Sequence, residues 1–275
     1  MKYLAACCVF KDELRYLREW VEYHLIVGVE HLYMVSNDDS PDAALEILKP
    51  HIERGEVTFA GVRGKPFAPL QRLVYQELLK VARGQARWLA LLDVDEFLLP
   101  VEADNVPEVL SLYERHSALA VNWACFGSSG LQDPPELQTA AFRMRLRDDD
   151  DENRIFKSIV DPGRVVGVHN PHRCDLVDGA NPVDEFGAPV THDFRNENDP
   201  HFGVRLRMNH YRTRSESEFA EKLSRWRDGG HPELGSDEAI REFWERNNRC
   251  EVLDECIQRF VPEIRCRLMI DSKKS

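Results

Sequence analysis

The chain has 275 residues, 43% hydrophobic and 31% charged, the balance of a soluble globular protein with material for one or two domains and a full core. Lys and Arg total 36 against 48 Asp and Glu, a net charge of −12. That excess argues against a nucleic-acid footprint, which shows as a basic patch, and against holding an anionic lipid surface by charge alone, while leaving room for a local basic pocket around one phosphorylated ligand.

The elements read in chain order as strands alternating with helices. YLAACCVF (3–10) is a strand-length apolar run. In ELRYLREWVEYHLIVG the residues Leu14, Leu17, Val21, His24, Leu25 and Gly28 fall on one helical stripe, with Glu and Arg opposite, so a helix packed on a sheet follows. HLYMVS (31–36) is a second strand, and NDDSPD carries turn chemistry that could cap a helix starting near Pro41. VTFAGV (57–62) is a third strand, LQRLVYQELLKVAR (70–83) a helix, WLALLD (88–93) a fourth strand and ALAVNWACF (118–126) a fifth. This order predicts an α/β fold, a mostly parallel sheet flanked by helices, with ligands binding beyond the carboxyl ends of the strands. RDDDDEN (147–153) reads as a solvated acidic loop, 154–212 as short irregular strands, and helical character returns from Ser215, with amphipathic helices over 237–270.

The whole chain, 1–275, reads as one domain: a nucleotide-binding half over 1–125, an acceptor and metal half over 126–230, and C-terminal helices over 231–275. No stretch approaches the ~20 apolar residues of a membrane span, and no signal-like leader precedes the first strand, so a cytoplasmic protein without a transmembrane segment is expected. Seven cysteines without a C-x-x-C pair read as reduced thiols.

WLALLDVDEF (88–97) ends an apolar strand in three carboxylates, Asp93, Asp95 and Glu96. On extended backbone, side chains two apart share a side, so Asp93 and Asp95 can converge on one hard divalent cation, Mn²⁺ or Mg²⁺, that leaves positions open for a diphosphate. The same acids could instead cap nearby helices or pair with Arg83 and Arg87. No G-x-x-x-x-G-K-[ST] loop, G-x-G-x-x-G fingerprint or H-E-x-x-H helix is present, and FGSSG (126–130) lacks the spacing of a nucleophile elbow.

Taken together, CVFKDELRYLREWVEYHLIVGVEHLYMVSNDDSPD, WLALLDVDEFL, FGSSG, FKSIV, HNPHR and NHYRTRSESEFAEK resemble glycosyltransferases of family 92 and bacterial relatives grouped with family 2, over roughly residues 3–230. The resemblance implies a GT-A (Rossmann-like) fold and a metal-dependent transfer of a sugar from a nucleotide-diphosphate donor, a UDP-sugar by preference, to a hydroxyl of a glycan or glycoconjugate. Carried over residue by residue, it puts Lys11 and Glu13 near the nucleotide and Asn37 and Asp38 beside the base or ribose. It puts Asp93 and Asp95 on the metal, Glu96 along the donor, Lys157 and His172 near phosphate oxygens, and His210 as a late ligand to metal or diphosphate. The family often has Lys at Arg214 and Asn at Asp12, two mild departures. An inverting reaction would also need a carboxylate base, with Asp175, Asp184 and Glu136 as candidates and Asp175 carried as the catalytic choice. Two rivals stand beside this reading: a nucleotidyltransferase, which usually carries a Gly-rich N-terminal loop that AACCVFKDE lacks, and a non-catalytic carbohydrate-binding or scaffold protein of the same fold.

Overall fold

The computed structural model describes residues 1–63, 65–228 and 236–269. It runs β1 (Lys2–Phe10), α1 (Leu14–Ile26), β2 (His31–Ser36), α2 (Asp42–Glu53), β3 (Val57–Gly61), α3 (Phe67–Ala82) and β4 (Ala86–Leu92), the alternation the sequence predicts. Next come β5 (Glu96–Pro100), α4 (Val106–Leu110), β6 (Ala118–Cys125), α5 (Gln138–Ala141), β7 (Met144–Arg145), β8 (Phe156–Val160), β9 (Val165–Val168), β10 (Cys174–Leu176) and β11 (Leu206–His210). The C-terminal part holds α6 (Glu216–Asp228), α7 (Asp237–Asn247), β12 (Val252–Leu253) and α8 (Val261–Leu268). The helical expectation over 237–270 is thus interrupted by β12, and its last residue lies outside the described residues.

Eight strands form one sheet in the order β3-β2-β1-β4-β8-β6-β11-β5, drawing on both 1–125 and 126–230. The first four run parallel and β11 runs parallel to β6, while β8 and β5 are antiparallel to their neighbours. β1 is buried on both faces. Leu4, Ala6, Cys8 and Phe10 belong to one apolar cluster with α1, and Ala5, Cys7 and Val9 to a second with α3, as the two-residue period of a strand requires. All seven cysteines are free thiols. Among the described residues, no helix is long and apolar enough to cross a membrane.

The sheet order has a geometric consequence. β4 and β5 are four places apart, ~19 Å in a flat sheet at ~4.8 Å per strand. Yet only Asp93, Val94 and Asp95 separate them, and the Asp93 carbonyl accepts a hydrogen bond from the Glu96 N–H at 3.1 Å, a tight turn. The sheet must therefore curl until its β5 edge returns to the end of β4, which wraps β8, β6 and β11 around the acidic turn.

Several loop expectations change in three dimensions. The NDDS segment does not cap α2, whose N-cap is Pro41 with no side-chain bond. The acidic run is partly ordered: Asp151–Arg154 forms a 3₁₀ turn, Asn153 is buried, and Asp150 and Asp151 pair with Arg249 and Arg195. Four-residue α5 is tied to α1 through buried Glu19, whose carboxylate accepts the N–H groups of Gln138 and Thr139 (both 2.9 Å) and the Thr139 hydroxyl (2.6 Å). Glu19→Ala leaves those donors without an acceptor and should lower unfolding stability by roughly 2–3 kcal/mol, read by urea denaturation. An unchanged midpoint would show that water replaces the carboxylate.

Candidate active site

Asp93 and Asp95 lie on the turn between β4 and β5, not on extended backbone as the two-residue spacing suggested, and Glu96 opens β5. The Trp20 indole N–H, from α1, holds this turn by donating to the carbonyls of Asp93 (3.1 Å) and Glu96 (2.8 Å). Consequently Asp93 and Asp95 look into different environments. Neither pairs with Arg83 or Arg87: Arg83 bonds the carbonyls of Pro162 and Val165, and Arg87 pairs with Glu114 and Asp161.

Asp93 is held by the protein. Its Oδ2 accepts from Lys157 Nζ at 2.6 Å, while Oδ1 accepts from Gln71 Nε2 at 2.7 Å and faces the Tyr75 hydroxyl at 3.5 Å. Lys157 sits on β8 with a side chain 1% exposed, and its ammonium is also 3.5 Å from Glu96 Oε2. Glu96 is fully buried and accepts from the Asp93 N–H and the Trp123 indole N–H, both at 2.8 Å. Burial pushes the Glu96 carboxyl up to about 8; Lys157 opposes this and Asp93 adds to it. Burial alone would lower Lys157, but Asp93 and Glu96 outweigh it and hold the ammonium above its usual range. Lys157 therefore faces the acids and balances their charge.

Asp95 has partners of its own. Its Oδ1 is 3.6 Å from His210 Nε2 and its Oδ2 is 3.1 Å from Lys222 Nζ on α6. Register explains the histidine: antiparallel pairing of β11 with β5 sets His210 opposite Glu96, and the Tyr211 N–H donates to the Asp95 carbonyl at 2.9 Å. Burial would raise Asp95, but Lys222 and then His210 outweigh it and hold the carboxyl well below the usual carboxylate range. Burial lowers His210 despite Asp95, favouring a neutral imidazole. Its ring packs on Trp123 with centroids 4.1 Å apart, and its buried Nδ1 has no hydrogen-bond partner.

These two side chains fit a divalent cation. Bonds of about 2.1 Å to one ion put two of its ligands about 3–4 Å apart, and Asp95 Oδ1 and His210 Nε2 are 3.6 Å apart. Among the described residues, no group of three or more His, Cys, Asp and Glu side chains is gathered to hold an ion, so a cation held here would complete its shell from a ligand or water.

The other expected residues divide. Glu13 Oε2 is 2.6 Å from Arg214 Nη2, and burial raises the Glu13 carboxyl against the pull of that arginine. Asp38 is buried and accepts from the Asp12 N–H and the Ser36 hydroxyl, both at 2.6 Å, so it ties the ends of β1 and β2 together. Asn37 donates to the Lys65 carbonyl at 3.0 Å and leaves a buried Oδ1 without a partner. Lys11 is exposed just beyond β1. His172 Nδ1 bonds the Phe156 carbonyl at 2.8 Å, and its ring meets Trp123 edge-on at 5.6 Å. Burial, reinforced by Lys157, lowers His172 to about 4.

The base candidates lie elsewhere. Asp175 is exposed on β10, 3.9 Å from His169. Asp184 accepts the N–H groups of Phe186 and Ala188 in a turn, and Glu136 lies 3.6 Å from Arg265. Sequence reading missed Gln71, Tyr75, Trp123 and Lys222, whose roles depend on which elements the sheet curl brings to the turn.

Residues 3–227 match the model of Glycosyltransferase family 92. The chain belongs to glycosyltransferase family 92. A family 92 protein of Oryza sativa subsp. japonica is 26% identical over 282 residues, covering 95% of this chain and 44% of that one. A second family 92 protein, from Ricinus communis, is 30% identical over 48% of this chain and 24% of its own length. A galactan beta-1,4-galactosyltransferase of Arabidopsis thaliana is 29% identical over 38% of this chain and 21% of its own. This family 92 chain thus spans less than half the length of the curated relatives it matches.

Proposed function

We propose that this family 92 chain is a glycosyltransferase that moves a sugar from a nucleotide-diphosphate donor, a UDP-sugar first, to a hydroxyl of a glycan or glycoconjugate. One observation carries the reading: at the curled end of the sheet, Asp95 and His210 meet at 3.6 Å, a spacing that fits two ligands of one cation. In this reading a Mn²⁺ or Mg²⁺ ion is held by Asp95 and His210. When bound, such an ion supplies Lewis-acid stabilisation of the charge that develops on a departing diphosphate.

The chain's own residues do the rest. Asp93, held by Lys157 and Gln71, anchors the turn. Trp123 backs the His210 ring and fixes Glu96 beneath it. Asn37 offers a buried, unpartnered oxygen beyond β2, an acceptor for a base N–H. Because Arabidopsis relatives are named galactan beta-1,4-galactosyltransferases, UDP-galactose with a β-galactan acceptor is the first pair to test.

Thermal-shift titration of UDP, GDP and ADP with and without MnCl₂ reads out donor class and metal need together. UDP should raise the melting temperature with Mn²⁺ and fail to do so in EDTA. Equal stabilisation by UDP in EDTA would remove the cation from the reading. Turnover of a nucleoside triphosphate with a sugar phosphate, and none of a UDP-sugar, would favour a nucleotidyltransferase instead.

A further inference from the structure

Lys222 stands where a cation would compete with it. Its Nζ lies 3.1 Å from Asp95 Oδ2 and donates to the Arg212 carbonyl at 3.2 Å. The pair is shielded, with side chains 17% and 12% exposed. Asp95 thus already has a unit positive charge on the carboxylate that the proposed function gives to a divalent ion. Lys222 also lines a cleft that carries both Arg15 and Arg214 and the acids Glu13, Glu218 and Glu221, so its flexible four-carbon stem borders open space.

We infer that Lys222 is the resident counter-ion of Asp95, that a divalent cation must displace it, and that a nucleotide diphosphate then takes its ammonium. The inference rests on the cation reading of the proposed function. A doubly charged ion bonded to Asp95 would press against the ammonium if Lys222 stayed, because like charges in a partly buried site repel strongly. A diphosphate entering with the ion brings the negative charge that makes both cations tolerable together, since ammonium is a good point-charge partner for phosphate oxygens. Lys222 therefore discourages metal loading without nucleotide and strengthens nucleotide binding once metal is present. An ion pair that merely fixed α6 would not produce effects of opposite sign.

Calorimetric titration of MnCl₂, and of UDP in saturating MnCl₂, into wild type, Lys222→Gln and Lys222→Arg tests this. Without nucleotide, Lys222→Gln should bind Mn²⁺ about tenfold tighter than wild type, and with Mn²⁺ present it should bind UDP about tenfold weaker, within the ordinary range of coupled binding. Lys222→Arg keeps the charge and should follow wild type in both titrations, which controls for folding. Unchanged or weakened nucleotide-free Mn²⁺ binding by Lys222→Gln overturns the inference while leaving the cation reading intact. Wild type that takes up no Mn²⁺ even with UDP overturns both.

Discussion

Under the proposed function, Asp95→Asn should cut sugar transfer from a UDP-sugar by about a thousandfold or more, the scale of losing a charge-stabilising group at a reacting centre. Asparagine keeps the shape of the side chain and removes the charge. His210 and Lys222 then face a neutral amide, and the proposed divalent cation would lose its anionic ligand. The cost to folding should stay near ~1–2 kcal/mol, because Lys222 is partly exposed and water can solvate it. Asp95 also defines a pH limit. Its folded carboxyl is held below its unfolded value, so the stability it contributes is present above the unfolded value and is lost as pH falls toward the lower folded one. Asp95→Asn should therefore flatten the acid limb of a stability profile, measured by urea denaturation between pH 3 and 6 (about the span around a free aspartate's ~3.9). A variant that transfers sugar at the wild-type rate would show that Asp95 is outside the chemistry.

The alternating half of the fold was legible because both signals were local. Strands β1 to β4 are short apolar runs, and α1 to α3 carry helical stripes between them, so their order fixed a parallel sheet. α3 begins one turn earlier than its apolar stripe suggests, at Phe67 after Pro66, because a proline ahead of the first turn starts a helix without hydrophobic periodicity. β5 escaped notice because EFLLP follows the acids without any turn residue of the Gly or Pro kind, and its pairing with β11 joins residues more than 100 positions apart. The same distance hid Lys222, which an amphipathic pattern can place on α6 but cannot point at a turn 127 residues earlier. His210 was legible through resemblance alone; its nearness to Asp95 follows from the β11–β5 register. The premise that Asp93 and Asp95 lie on extended backbone did not hold, for a simple reason. A hydrogen-bonded turn replaces the pleat there, and a period of two holds only while the chain stays extended.

The division between the two acids leads to a stability experiment. Lys157→Met should destabilise the fold by about 3 kcal/mol, the low end for breaking a buried ion pair, since Asp93 remains 32% exposed and is partly screened. The methionine fills the space of the lysine stem but leaves two carboxyl groups facing each other without a cation. Glu96 is already pushed up to about 8 in the wild type, by burial first, with Lys157 the main influence holding it down. Its folded value lies above that of a free glutamate, so between the two the native state holds more protons than the unfolded chain and stability falls as pH rises. Removing Lys157 moves the folded value higher still and extends that fall to higher pH, since one carboxyl contributes at most one proton to the slope. The deficit of Lys157→Met relative to wild type should therefore hold steady over the range where Glu96 is protonated in both folded proteins and grow as pH rises through the wild-type folded value of about 8. Glu96→Gln in the Lys157→Met background should remove most of that pH dependence, because the group that titrates is gone. Urea midpoints for the three proteins across these pH values measure it directly. A deficit that stays constant as pH rises past about 8 would mean that Lys157 serves packing on β8 and not the charge balance of the turn.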